Sequence, residues 1–342
     1  MAARSNSWSG LLSQPLPNCR PHMGAHNSCL LFVPALETRF WRKLPALATD
    51  LWGVVIDLED SIHPESKALA RDMVEQHRGM LELLKQIAPH LKVVLRVNNR
   101  NTAYHEGDLN LANALAEDGL VHILMYPKTE QASEIKGLSE TCSPHLALFP
   151  IIETLEGYSS FQDILTAEHR IVYTAIGAED ICADMNVERP AVFYDNPLLS
   201  HITATVALHA KRLGIGLWGN IWPYLSSTEL LPAFYSEVLL DQQFGAVGKI
   251  LFHPYQIQAV KGIFNSQYRA EAHQELMLGR LHAIARRSEE YGLTVAVHNA
   301  RMVDMPELVR LRRWYRGLST EKKAEVLGVL PSTFIKYIDR DD

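Results

Sequence analysis

Eight short apolar runs recur along the chain, and their spacing limits the fold more than any other feature. They are Ser28–Pro34, Leu51–Leu58, Leu91–Val97, His122–Tyr126, Leu146–Ile152, Ile171–Ile176, Gly214–Trp218 and Val247–Phe252. Their ends fall near Pro34, Asp57, Arg96, Pro127, Glu153, Gly177, Trp218 and His253, at intervals of 23 to 41 residues, so each interval has room for a crossover helix. Helical patterns occupy the gaps: Glu37–Leu47, Asp108–Glu117, Glu130–Ser139 and Pro197–Leu213. A long helix is expected to open at Pro64, with Leu69, Met73, Met80, Leu84 and Ile87 on its buried face. Leu199, Ile202, Val206, Ala210 and Leu213 form a similar face on the helix from Pro197. Eight strand–helix units in series predict a (β/α)8 TIM barrel over residues 27–258. A doubly wound sheet would more often carry a Gly-rich phosphate turn after its first strand, and none is present. Residues 1–26 are expected to be a flexible leader, and residues 259–342 a helical C-terminal appendage packing on the barrel or on another subunit.

A length of 342 residues suffices for a large buried core. The net charge of −6 and the lack of a basic run argue against nucleic-acid binding. No apolar run approaches the roughly 18 residues that suggest a membrane span. Cys19, Cys29, Cys142 and Cys182 form no metal-type pair and are read as free thiols of a reducing compartment, so a cytoplasmic protein is expected.

Candidate chemistry gathers at the strand ends. Glu153 and Asp180 lie 27 residues apart, about one strand–helix–strand unit, so they are expected to converge from neighbouring strands. Two adjacent carboxylates repel, and a hard divalent cation such as Mg²⁺ relieves that repulsion. The alternative is that both cap helices. The barrel mouth is also expected to hold Glu59, Asp60, Arg96, Lys128 and Asp184. No nucleophilic triad is evident, which disfavours acyl transfer through a covalent enzyme intermediate. Acids around one Arg suggest instead a metal chelating an oxyacid, with Arg96 offsetting enolate charge. Arg96 paired with Glu59 or Asp60, Lys128 as a solvated rim residue and His253 as a structural histidine are the competing structural readings.

Taken in order, Leu31-Phe32-Val33-Pro34, Asp57-Leu58-Glu59-Asp60-Ser61, Lys67 with Ala70-Arg71, Arg96-Val97-Asn98, Pro127-Lys128, Ile152-Glu153-Thr154, Gly177-Ala178-Glu179-Asp180 and Gly248-Lys249 with His253-Pro254 and Gln256 form a set. It resembles the citrate lyase β-subunit-like proteins of the HpcH/HpaI aldolase superfamily. The resemblance implies a trimeric or hexameric (β/α)8 barrel with a Mg²⁺-dependent carbon–carbon lyase site, expected to cleave or form a 2-hydroxy acid or its acyl-CoA ester, giving a 2-oxo acid and an enolate-derived fragment. It implies Glu153 and Asp180 as metal ligands that also meet the substrate, and Arg96 and Lys128 as substrate contacts. Glu59 and Asp60 match the acidic turn supporting metal-bound waters. Asp304, within Met302-Val303-Asp304-Met305-Pro306, matches an acid/base supplied to an adjacent subunit, unless it only caps the helix beginning near Pro306. Ala35, Thr203, the Trp218-Gly219-Asn220 segment and Ala300 depart from the family pattern, and leave open whether the substrate carries CoA. A condensing enzyme or thioesterase on the same scaffold, and a non-catalytic oxo-acid-binding subunit, are the alternatives.

Overall fold

The computed structural model describes residues 28–224, 231–264, 267–291, 296–299, 301–316, 318–328 and 330. The leader expected over 1–26 lies outside these, as do Cys19 and Ala300. The chain divides into two compact units, Met1–Asn265 and Ser266–Asp342.

The first unit is a closed barrel of eight parallel strands in sequence order: β1 Cys29–Pro34, β2 Gly53–Asp57, β3 Lys92–Arg96, β4 Ile123–Tyr126, β5 Ala147–Ile152, β6 Tyr173–Ile176, β7 Gly216–Gly219 and β8 Gly248–Leu251. β8 returns to β1 with Cys29 opposite Lys249 and Leu31 opposite Leu251, which closes the sheet and leaves no edge strand. The helices are α1 Thr38–Leu47, α2 Lys67–Gln76, α3 Arg78–Ile87, α4 His105–Glu117, α5 Ala132–Thr141, α6 Leu155–Thr166, α7 Ala178–Asp184, α8 Pro197–Leu213, α9 Leu231–Gln243 and α10 Gln256–Phe264. This is the expected TIM-barrel architecture.

Strand alternation divides the apolar residues into two layers. Phe32, Val55, Val94, Met125, Ile151, Ala175, Trp218 and Ile250 fill the barrel interior, while Val33, Ile56, Leu95, Leu124, Ile152, Ile176, Leu217 and Leu251 face the helices. Near the N-terminal end, Trp52 packs 5.1 Å from Tyr173 and 4.8 Å from Trp218 between ring centroids. These rings leave no room for side chains at their neighbours: a Cβ on Gly248 would stand 2.5 Å from the Trp218 ring and 2.4 Å from the Ser28 carbonyl.

The long helix expected from Pro64 is two helices. A short 3-10 turn, Pro64–Ser66, leads into α2, and α2 gives way to α3 at His77, whose Nδ1 lies 2.8 Å from the Met73 carbonyl and whose ring stacks on Trp41. The break rotates the buried face onto Ala70, Val74, Leu81 and Leu84, leaving Leu69 and Ile87 exposed. α8 occupies its expected span, capped by the Asn196 side chain, which accepts from the Leu198 N–H, and by Gly214 at φ +75°. Its Leu213 is exposed rather than buried.

The second unit contains α11 Gln267–Tyr291, the antiparallel strands β9 Ala296–His298 and β10 Arg301–Val303, α12 Met305–Arg316 and α13 Thr320–Gly328. The sequence suggested helices alone. β9 and β10 instead form a β-hairpin that turns at Asn299, whose φ is +48°. This unit has its own core, including Leu281, Ile284, Val303, Leu311 and Val326. Asp304 stands between β10 and α12, and its carbonyl accepts the Leu308 N–H at 2.9 Å. The structure divides after α10 rather than within it, because Ile257, Val260 and Ile263 are buried in the core of the first unit.

Two glycines check this packing. Gly248→Ala is expected to destabilise the protein by about 2–3 kcal/mol, because its Cβ meets backbone and a buried ring. Gly262→Ala in α10 meets nothing within 4 Å and is expected to stabilise by about 0.5–1 kcal/mol through helix propensity. Urea unfolding of the two variants measures both.

Candidate active site at the barrel mouth

The last inward-facing positions of β2 and β3 are charged. Asp57 and Arg96 are direct partners across the parallel pair, which is why the two charges meet. Arg96 donates from Nε to Asp57 Oδ1 at 2.6 Å and from Nη2 to Oδ2 at 2.8 Å, and the carboxylate also accepts the Glu59 and Ser61 N–H groups. Burial works against the Asp57 charge, but the Arg96 charge and hydrogen bonds prevail and hold its carboxyl below the usual range. Burial likewise works against the Arg96 charge, and Asp57 and Glu59 outweigh it and raise its pKa. Arg96 Nη1 lies 3.1 Å from Glu59 Oε2, and the guanidinium sits 4.8 Å from the centre of the Phe32 ring.

Asp57 is the main residue that sequence reasoning missed as a site member: it was visible only as the first acid of a turn. The signal was strand parity, because Asp57 follows inward-facing Val55 by two residues. Lys67 was missed as well. It is buried, and its ammonium donates to the Leu58 carbonyl at 3.0 Å, the Glu59 carbonyl at 2.7 Å and Asn98 Oδ1 at 2.8 Å, thereby securing the acidic turn. Asn98 is fixed in turn by Asp108, which also pairs with Arg71.

Lys128 is not the solvated rim residue considered from sequence. Its backbone takes φ +48°, its N–H donates to Glu153 Oε1 at 2.6 Å, and its ammonium reaches Glu59 Oε1 at 2.6 Å and Asp60 Oδ2 at 2.9 Å. Burial opposes the Lys128 charge, but the bonds to the two acids outweigh it and raise the pKa. Glu59 is buried and pushed upward by desolvation, whereas Asp60, more open, is held down by its Lys128 bond despite partial burial. The acidic turn is therefore engaged with Lys128 and Arg96. His253 is exposed, and its Nδ1 accepts the Tyr255 N–H, a local structural role.

Glu153 follows β5 and is buried, with its carboxylate lying over Gly177, where a Cβ would come within 2.2 Å of Oε2. Burial, with the nearby Asp180 charge, pushes Glu153 up to about 8 against the lesser pull of Arg96 and Lys128. Neither acid is a helix cap: Thr154 caps α6 by accepting the Gly157 N–H, and Asp180 lies inside the first turn of α7 after Gly177. Asp184 is drawn away, accepting the Leu155 N–H at 2.6 Å. Beyond β7, Asn220 is buried, and its Nδ2 has no hydrogen-bond partner among the described residues. Thr203 is occupied within α8, donating to the Leu199 carbonyl.

Five carboxylates, Asp57, Glu59, Asp60, Glu153 and Asp180, thus share the mouth with three cations, Lys67, Arg96 and Lys128. With all five deprotonated, the surplus of two negative charges suits one divalent cation. Among the described residues no group of three or more His, Cys, Asp or Glu side chains is placed to hold a metal ion. Two carboxylates with open positions is the arrangement Mg²⁺ uses, since it keeps waters and takes substrate oxygens. The donor set therefore suits a hard cation and offers it no soft ligand.

A parallel eight-stranded barrel with oxygen donors and one buried arginine at the C-terminal strand ends defines the class of (β/α)8 proteins that present their functional groups at that face. The chain belongs to the HpcH/HpaI aldolase/citrate lyase family, whose model matches residues 28–254. It is 27% identical over 288 residues to a citrate lyase subunit beta-like protein of Deinococcus radiodurans, covering 83% of this chain and 94% of that one. It is 26% identical to an L-malyl-CoA/beta-methylmalyl-CoA lyase of Cereibacter sphaeroides, covering 86% and 94%. The fold matches the crystal structure of the protein CitE from Mycobacterium tuberculosis in complex with magnesium, acetoacetate and coenzyme A, at TM-score 0.63 and 20% identity, covering 86% and 98%. Among the described residues no helix is long and apolar enough to cross a membrane.

Arg96→Met is expected to cost about 3–5 kcal/mol, because it leaves Asp57 charged and buried without a partner. The double change Asp57→Asn with Arg96→Met is expected to recover most of that loss in chemical denaturation.

Proposed function

We propose that this protein is a Mg²⁺-dependent carbon–carbon lyase that cleaves, or in reverse forms, a 2-hydroxy acid or its acyl-CoA ester, giving a 2-oxo acid and an enolate-derived fragment. The observation that carries the reading is the pair Glu153 and Asp180: a buried carboxylate held up to about 8 beside a second acid, amid a surplus of negative charge. Glu153 and Asp180 would hold the cation, which, when bound, supplies Lewis-acid polarisation of the oxygens on the carbon that becomes the carbonyl.

The other tasks fall to the chain. Arg96, fixed in direction by Asp57, presents its remaining N–H groups to the negative charge that develops on the departing fragment. Because Asp57 already neutralises much of the Arg96 charge, this contribution is mainly directional hydrogen bonding. Lys128 holds Glu59 and Asp60 in place and fixes Glu153 through its own N–H. Asn220 follows the strand opposite β3 in the barrel order and offers an uncommitted amide donor for a substrate oxygen. Asp304 is the proposed proton donor to the fragment, in keeping with its motif, acting in a homo-oligomer. Names of relatives that act on malyl-CoA, and of a neighbour bound to coenzyme A, support a thioester as part of the substrate.

The test assays acetyl-CoA and propionyl-CoA with glyoxylate, pyruvate and oxaloacetate in both directions, with and without Mg²⁺. Glu153→Gln and Asp180→Asn are each expected to lower kcat/KM by at least 10³ and to abolish the calorimetric signal of Mg²⁺ binding. Variants that bind Mg²⁺ and turn over like wild type overturn the proposal.

The pH dependence has a definite sign. Protonated Glu153 is the form favoured by the fold without a cation, so this group's contribution to stability falls as pH rises from the ordinary carboxylate range through about 8. A cation needs the deprotonated form, so the melting-temperature increase caused by Mg²⁺ is expected to grow between pH 6 and pH 8.5, with proton release on binding. A Mg²⁺-induced shift independent of pH counts against Glu153 as a ligand.

A further inference from the structure

Outside the mouth, the described residues contain a second set of buried charges that the proposed chemistry does not use. Its centre is Arg189, in the segment joining α7 to α8, with a side chain only 4% exposed. Arg189 Nη2 donates to both oxygens of Glu237 on α9, at 3.1 and 2.9 Å, and to the Ile221 carbonyl just beyond β7 at 3.2 Å. Nη1 donates to the Pro190 carbonyl at 2.9 Å. Nε lies 2.9 Å from Glu179 Oε1, at an angle that makes the contact an ion pair rather than a hydrogen bond. The Phe193 and Trp222 rings each have their centres 5.6 Å from the guanidinium carbon.

The network continues to the sheet. Glu237 accepts from Lys249 on β8 at 2.7 Å, and Lys249 also reaches Asp241 at 2.6 Å, all three side chains being fully buried. Asp241 accepts the Tyr194 hydroxyl as well. One guanidinium thereby joins α7, α9 and the chain after β7, and its partner Glu237 anchors that junction to β8.

The helix attached in this way carries Asp180. α7 has seven residues, too few to hold its conformation by its own hydrogen bonds. Among the described residues no hydrogen bond fixes the Asp180 carboxylate, so its direction depends on where α7 is held. Glu179, adjacent in sequence, is the side chain through which Arg189 grips the first turn of that helix. We propose that Arg189 is a positioning residue for the cation site: by holding Glu179 and Glu237 together it fixes α7, and with it the Asp180 carboxylate, in the place a divalent cation requires. This rests on the proposed role of Glu153 and Asp180 as ligands. A lysine cannot replace the arginine, because a single ammonium lacks the planar fork that meets α7, α9 and the Ile221 carbonyl at once.

The test exploits opposite signs. If Arg189 acted only through its charge, Arg189→Met would tighten Mg²⁺ binding, and Arg189→Lys or a variant that also neutralises Glu237 would leave it unchanged; if it positions Asp180, all of these weaken binding. Mg²⁺ titrations by calorimetry would compare wild type, Arg189→Lys, Arg189→Met and the double variant Arg189→Met with Glu237→Gln, which leaves no unpaired buried charge and keeps Lys249 paired with Asp241. Far-UV circular dichroism and melting temperature would report folding. Arg189→Lys and the double variant are expected to fold and to bind Mg²⁺ at least tenfold more weakly, with kcat at saturating Mg²⁺ within threefold of wild type. Folded variants whose Mg²⁺ affinity is within twofold of wild type, or tighter, overturn the positioning role and leave the lyase proposal standing. Wild-type protein with no saturable Mg²⁺ binding overturns both.

Discussion

The two-pronged pair of Asp57 and Arg96 is the interaction on which the mouth of this barrel depends. It is made across adjacent parallel strands at their last paired positions, so the sheet itself sets its geometry. With both acceptor oxygens and two guanidinium donors committed, Arg96 has little rotational freedom, and its remaining face is directed by backbone rather than by a flexible stem. Three further polar groups at the mouth are linked in sequence to that fixed cation. Glu59 leans on it from the turn after β2, Lys128 closes on Glu59 from beyond β4, and the Lys128 N–H holds Glu153.

The ionic groups belong to two layers with different tasks. Those at the mouth are partly open, hold an excess of negative charge and lie beside acids whose repulsion is incompletely relieved. Those between α9 and the sheet are sealed, and the Lys249, Glu237, Asp241 and Arg189 charges balance one another. Breaking one member of such a sealed set is far more harmful than never having built it, because the survivor remains charged and dry. The sealed set therefore gives rigidity where the open set gives reactivity, and α7 is the element common to both.

Much of the architecture could be read from the chain because parallel strands buried on both faces form continuous apolar runs, and eight of them recur at intervals that hold a helix. Glu153, Asp180, Arg96 and the acidic turn were legible for the same reason: they stand where those runs stop. The break at His77 was not, since Leu69 and Ile87 keep helical spacing on either side of a kink that leaves them exposed. Lys67 escaped because a lysine is read as a surface residue until three acceptors are known to surround its ammonium. Arg189 and Glu237 are 48 residues apart, and no local pattern announces their meeting. The β-hairpin of the second unit was hidden by its brevity, with three residues in each strand.

Lys128 illustrates how narrowly a single position can be confined. Its left-handed backbone is one that glycine or asparagine adopts with less strain, yet neither carries an ammonium to Glu59 and Asp60. An arginine keeps the charge but presents a broad plane where a compact tip is bracketed by two acids. Substitution at this site is therefore hemmed in from two directions, by main-chain shape and by head-group size, and a change that relaxes one demand still faces the other.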